Sequence, residues 1–130
     1  MSPPPRPPMP SMPFDDRDTA RWLNDIRHHI AMASSFASGM SYEAFKDDLR
    51  TVYAVTRCLE IISEASRRLP AELKARHPLI EWQQMAASGN FYRHEYEDVA
   101  ARRVWETLGD HLPPLQDVIV QELKALDGQP

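Results

Sequence analysis

The sequence predicts an all-α fold, an up-and-down bundle of four main helices, and three observations predict it. Apolar residues recur at three- and four-residue intervals through almost everything after Phe14. No β-rich alternating segment or hairpin turn signal competes with that period. The prolines and glycines of the folded part fall mainly between the periodic stretches, so the connections are short and neighbouring helices run antiparallel.

Seven of the twelve prolines fall in the opening "MSPPPRPPMPSMP". That composition predicts an extended, disordered tail over residues 1–17 and a folded domain over 18–127. Asp18 is the predicted N-cap of a first helix over 19–37, with Leu23, Ile26, Ile30, Ala33 and Ala37 facing inward. "ASGMS" then interrupts the pattern, with Gly39 in a C-terminal capping position and Ser41 opening the next helix. The second helix is predicted over 42–68, with Phe45, Leu49, Val52, Thr56, Leu59, Ile62, Ala65 and Leu69 as its inward stripe and Pro70 as its stop. Tyr53, Val55 and Ile61 lie off that stripe, which predicts either a dimer interface or another helix packed on that side.

After a short helical piece, "AELKARH", the stretch "LIEWQQMAASGNFYRHEY" reads as a third main helix anchored by Trp82 and Met85. The last element covers 100–126 with Val104, Leu108, Leu112, Leu115, Ile119, Leu123 and Leu126 inward. Pro113 and Pro114 interrupt it and predict a kink, or two helices with the prolines in the first turn of the second.

Composition excludes several function classes. A length of 130 residues supports one domain with one modest core. A net charge of −4 argues against a general nucleic-acid coat, though not against a local basic cleft. No CxxC pair, HExxH, P-loop or GxGxxG is present, so no metal or cofactor is expected. The single Cys58 sits in an apolar helical pattern and reads as a small core residue. The opening residues lack an apolar signal core and no apolar run is long enough to span a bilayer, so the expected compartment is cytoplasmic and no membrane partner is expected. His77 and His111 fall in connecting segments and read as solvated.

The chemically loaded stretch is "SGNFYRHEYEDV", Ser88 to Val99. His94 and Tyr96 are two apart and meet only if the helix ends between them, which the acidic cluster that follows favours. A histidine at a helix C-terminus has its cationic form favoured by the helix dipole. Such a base can take the proton of a ribose 2′-hydroxyl while an arginine stabilises charge on the phosphate. Arg93 is adjacent to His94, about 100° around a helix, and would share one phosphate with it only across a dimer. On spacing alone, a Tyr-Arg-His-Glu-Tyr helix end is more often a hydrogen-bonded surface cluster than an active site.

In "SYEAFKDDLRTVYAVTRCLEIISEASRRLP", "HPLIEWQQMA", "GNFYRHEY" and "VWETLGDHLPPL", in that order and spacing, the chain resembles the HepT-like proteins over about Ala20 to Leu123. These are minimal HEPN-domain toxins paired with MntA-type nucleotidyltransferase antitoxins. The resemblance implies a HEPN-like bundle that forms a homodimer, with paired motifs at an interface cleft, acting as a metal-independent RNA endonuclease. It maps Asn90, His94 and Tyr96 onto the family's motif and implies that Tyr96 is the residue the antitoxin adenylylates. The family's arginine should stand just before Asn90, where this chain has Gly89, and Ser63 stands where the family usually carries glycine. Arg93 from the other protomer and Arg57 on the second helix are the two replacements the sequence suggests. Two functions of different classes therefore follow: an RNA-cutting toxin with a displaced arginine, or a non-catalytic helical partner of a nucleotidyltransferase.

Overall fold

The computed structural model describes residues 2–5 and 16–128, and within them every side chain except those of Arg93 and His94. Most of the tail expected to be disordered thus lies outside the described residues; residues 2–5 are exposed and carry no regular structure. Among the described residues the chain is entirely helical, as predicted.

Helix α1 (Asp16–Phe36) starts three residues before the expected boundary, so Asp18 lies in its first turn rather than at its cap. There it pairs with Arg21 at 3.6 Å and complements the helix dipole. The five inward residues of α1 are all buried, joined by Trp22. Gly39, at φ 77°, supplies the left-handed residue that turns the chain, and the Ser41 hydroxyl accepts from the Ala44 N–H at 3.1 Å to open the next helix.

The expected second helix is two, α2 (Tyr42–Asp47) and α3 (Leu49–Arg68), broken at Asp48. Asp48 closes one and opens the other: its N–H donates to the Phe45 carbonyl at 3.0 Å and its carboxylate accepts from the Thr51 N–H at 3.2 Å. The break frees α2 to follow a different partner, with Phe45 fully buried against Trp105 at 5.0 Å between ring centroids. Helix α3 is the centre of the molecule and packs along α1 on one side. Val52, Val55, Leu59 and Ile62 are solvent-free, whereas Leu49, expected inside, is exposed. Cys58 is buried, and burial pushes its thiol pKa up, so it stays a protonated core residue.

Short α4 (Ala71–Ala75) leads to a broken third element. Where a continuous helix over 79–96 was expected, the structure has α5 (Trp82–Ala87), a 3₁₀ turn (Ser88–Asn90) and one turn of α-helix, α6 (Phe91–His94). The cause is tertiary. The Ala86 carbonyl, which would accept from Asn90 in an α-helix, accepts instead from the Ser63 hydroxyl and from Arg67 Nη1, the latter at 2.6 Å. The Trp82 indole N–H donates to the Lys74 and His77 carbonyls at 3.1 Å, fixing α5 to α4.

The last element comprises α7 (Glu97–Glu106), a π-helical segment (Thr107–His111) and α8 (Leu112–Asp127). Pro113 and Pro114 lie in the first turn of α8, the second of the two expected arrangements. Their rings would collide with the carbonyls of Gly109 and Asp110 in an ideal α-helix, and the wider π turn relieves that collision. Val104, Leu112, Leu115 and Ile119 complete the core against α1.

His77, expected to be solvated, is instead largely buried in an ionic cluster with Arg76 that holds α4 to α8. Arg76 Nη2 donates to Glu122 Oε1, and His77 Nε2 stands 3.3 Å from Glu122 Oε2. Burial pushes the Glu122 carboxyl pKa up, but the hydrogen bonds from Arg76 and His77 outweigh it, so the net shift is downward. A depressed folded-state pKa means the stabilisation is complete above the ordinary carboxylate range and is lost as pH falls through the lowered value. Glu122→Gln is therefore expected to lose about 1–2 kcal/mol at neutral pH, reduced because Arg76 is more than half exposed. In urea titrations its deficit against wild type should shrink on acidification below about pH 4; a constant deficit would refute the linkage.

Candidate functional site

The stretch that carries the motif lies antiparallel along one ridge of α3. Ala86 meets Ser63 and Arg67, Gly89 meets Glu60 and Ser63, and Tyr92 meets Tyr53 and Thr56. On α3 those partners are residues 53, 56, 60, 63 and 67, spaced three and four apart on one face.

Gly89 is the tightest point. A Cβ built there would lie 3.0 Å from the Cα of Glu60 and 3.3 Å from the Cβ of Ser63. The position carries no side chain because α3 leaves no room for one. Where the family resemblance placed an arginine at 89 and a glycine at 63, this chain has glycine at 89 and serine at 63, and the two face each other across the contact.

Asn90 is half-buried at the head of α6, with no side-chain cap hydrogen bond. The backbone places Arg93 and His94 in α6, which ends at His94; their side chains lie outside the described set. Glu95 is extended, at φ −129° and ψ 153°, and Tyr96 begins the next helix as its N-cap. The helix thus ends between His94 and Tyr96, the condition for those two to meet. It is only one turn long, however, and one turn carries little macrodipole, so the dipole argument for His94 loses most of its basis.

Tyr96 is 85% exposed. Tyr53 donates to Glu97 Oε1 at 3.3 Å and meets the Tyr92 ring at 6.2 Å. Leu49, Tyr53, Tyr96 and Val99 together leave an apolar surface open around the motif. Part of the surplus apolar face of the second helix is therefore covered by the α5–α6 segment, while Leu49 and Tyr53 remain exposed. The Tyr92 hydroxyl is buried beside Thr56 and forms no hydrogen bond among the described residues. Burial, then the nearby Glu97 carboxylate, pushes the Tyr92 pKa up.

Arg57 stands elsewhere. It pairs with Glu60 at 3.0 Å and lines a groove between α1 and α3 with Arg21, Asp25 and Arg68. Sequence reasoning missed Arg103. Its guanidinium lies 4.7 Å over the centroid of Phe91 and its Nη1 donates to Glu95 Oε1 at 2.7 Å. It borders a cleft of about 480 Å³, whose wall also includes Phe91, Met85, Ser88 and His111. Nothing local in the sequence signals this, because Arg103 and Glu95 are eight residues apart across a helix break. Trp105 packs on Phe45 and Tyr42 and anchors α7 to α2. No group of three His, Cys, Asp or Glu side chains among the described residues is arranged to hold a metal. None of the described helices is long and apolar enough to cross a membrane.

The described residues thus form a small all-α bundle in which His94, Glu95 and Tyr96 make the junction between two helices. The chain belongs to the ribonuclease HepT-like family, whose pattern matches residues 26–122. It is 37% identical over 95 residues, 73% of this chain and 86% of the relative, to "Probable ribonuclease HepT" of Thermococcus cleftensis. Over 113 residues it is 30% identical to "Putative RNase MJ1216" of Methanocaldococcus jannaschii, covering 87% of this chain and 93% of that one. No solved structure matches the chain.

The packing at Gly89 yields a test. Replacing a helical glycine by alanine ordinarily gains up to about 1 kcal/mol. Here the contact with Glu60 and Ser63 reverses the sign, and Gly89→Ala should cost about 1–3 kcal/mol. Made in a Ser63→Gly background the same change should cost less, though not nothing, because the Glu60 backbone remains. A double-mutant cycle from thermal unfolding reads the coupling, and strict additivity would show that the two positions do not compete for space.

Proposed function

We propose that this protein is the toxin of a type VII toxin–antitoxin pair, a metal-independent cytoplasmic endoribonuclease silenced by adenylylation of Tyr96. The observation that carries this reading is the placement of Tyr96. It is 85% exposed, follows the residue after His94, and sits at the start of α7 where a partner enzyme can reach its hydroxyl. Membership of the HepT-like ribonuclease family supports RNA as the substrate class.

In the reaction, His94 takes the proton of a ribose 2′-hydroxyl, and that oxygen attacks the adjacent phosphorus. The bond from phosphorus to the 5′-oxygen breaks, the leaving oxygen takes a proton from water, and the ends are a 2′,3′-cyclic phosphate and a 5′-hydroxyl. Asn90 donates from its amide to a phosphate oxygen. With no side chain at 89, another arginine meets the phosphate charge, and Arg93 from a second protomer and Arg57 are the candidates within the motif and on α3. The exposed Leu49, Tyr53 and Val99 around the motif support a homodimer whose interface closes over it. An AMP on Tyr96 would set negative charge beside the site and repel RNA. The acidic residues Glu97 and Asp98 beside it fit a basic surface on an MntA-type nucleotidyltransferase.

A second reading has its own observation. The closed packing at Gly89 fixes the loss of the motif arginine in the backbone, and loss of such a charge costs roughly 10²–10³ in rate. The bundle would then be a non-catalytic subunit of its nucleotidyltransferase. Purified, partner-free protein should cleave single-stranded RNA in EDTA, and His94→Ala should reduce the rate at least about a hundredfold. Folded, dimeric, unmodified protein without activity would favour the second reading, as would harmless expression of the chain alone.

Modification is tested separately. Incubated with the nucleotidyltransferase, ATP and magnesium, wild type should gain the mass of one AMP per chain and lose cleavage, while Tyr96→Phe gains none and stays active. AMP found on Tyr92 or Tyr53 instead would refute the assignment.

A further inference from the structure

We propose that Arg103 is the cation that holds the RNA phosphate in this protein and that Glu95 occupies it when RNA is absent. The proposal rests on the ribonuclease reading above and supplies the charge that position 89 cannot. Among the described side chains, Arg103 is the cation that contacts two residues of the motif stretch, Phe91 and Glu95. Arg57 is turned to the α1–α3 groove and engaged with Glu60.

The geometry suits a phosphate. The guanidinium carbon lies 4.7 Å from the centroid of the Phe91 ring, a cation–π contact that holds the group at this end of the cleft. Nη1 already holds a carboxylate oxygen at 2.7 Å, and a carboxylate and a phosphate present the same pair of acceptors to that fork. The other donors of Arg103 have no recorded acceptor among the described residues. The side chain is half exposed and Glu95 about a third, so the pair is wet, weak and open to exchange. Glu95 lies between His94 and Tyr96, so a phosphate that displaces it arrives beside the motif. Glu81, Glu106 and Asp110 on the remaining wall of the cleft keep an RNA strand from threading it and confine the phosphate to the Phe91 end.

The test uses the full-length protein with His94→Ala as background, so that RNA is bound but not cut. Anisotropy of a labelled short single-stranded RNA, read across a salt series in EDTA, gives affinity and salt slope. Glu95→Gln should tighten binding about threefold, since it removes the competitor. Arg103→Gln should weaken it about tenfold and lower the slope of log K against log salt by about one, a change that general loosening of the fold does not produce. The double variant should behave as Arg103→Gln alone. Arg103→Lys, which keeps the charge, should recover the slope but only part of the affinity. In the cleaving protein Arg103→Gln should lower kcat/KM. Unchanged binding in both Glu95 and Arg103 variants, while wild type still cleaves through His94, overturns this inference and leaves the ribonuclease reading standing. Wild type that neither binds nor cleaves RNA overturns both.

Discussion

The close approach of one backbone to another, the 3₁₀ turn at Gly89 against Glu60 and Ser63 of α3, is the constraint on which the rest of the site depends. It fixes where α5 stops, because Ser63 and Arg67 take the Ala86 carbonyl from its helical partner. It fixes where α6 starts, and through Tyr92 on Tyr53 and Thr56 it sets how that turn rests on α3. The chain can then leave α6 after four residues and enter α7 through two extended residues, Glu95 and Tyr96, with Tyr96 turned to solvent. A side chain at 89 would press on the Glu60 backbone and on Ser63, so the turn or α3 would have to give way by a few tenths of an ångström.

The same contact sets glycine at 89 against serine at 63. Serine at 63 gains a hydrogen bond to the Ala86 carbonyl that glycine cannot make, and glycine at 89 yields the space. A guanidinium does reach the stretch that follows, where Arg103 stacks on Phe91 and pairs with Glu95.

Where structure follows from local period, the sequence was readable. The apolar stripes of α1 and α8 are interior as spaced, and the prolines at 113 and 114 begin a helix as their chemistry requires. What could not be read is whatever is decided by a partner distant in sequence. Asp48 is an ordinary helix-surface residue until α2 and α3 choose different neighbours. "AASGNF" weakens a helix at Gly89 and Asn90 without marking where it stops, and donors from α3 set the break at the Ala86 carbonyl. His77 looked solvated because nothing nearby announces Glu122, which lies 45 residues away. At the site, the backbone junction and the exposed tyrosine were legible from the order of residues, but the arginine beside them was not.

The π segment between α7 and α8 bears on how the protein tolerates changes of length. From Val104 to Leu112 is eight residues, and over eight residues an ideal α-helix rotates about 80° past its starting face. Both side chains are nonetheless buried in one core, because the wider turn at Thr107–His111 takes up that rotation. Losing one residue there would keep the face, since seven residues of α-helix return to within about 20° of it, but would press the rings of Pro113 and Pro114 on the carbonyls one turn back. Gaining one would swing Leu115, Ile119 and Leu123 out of phase with α1. A stretch that presents itself at the surface as glycine and charged residues is thus a phase adjuster, and its length is as fixed as the identity of any residue in the core.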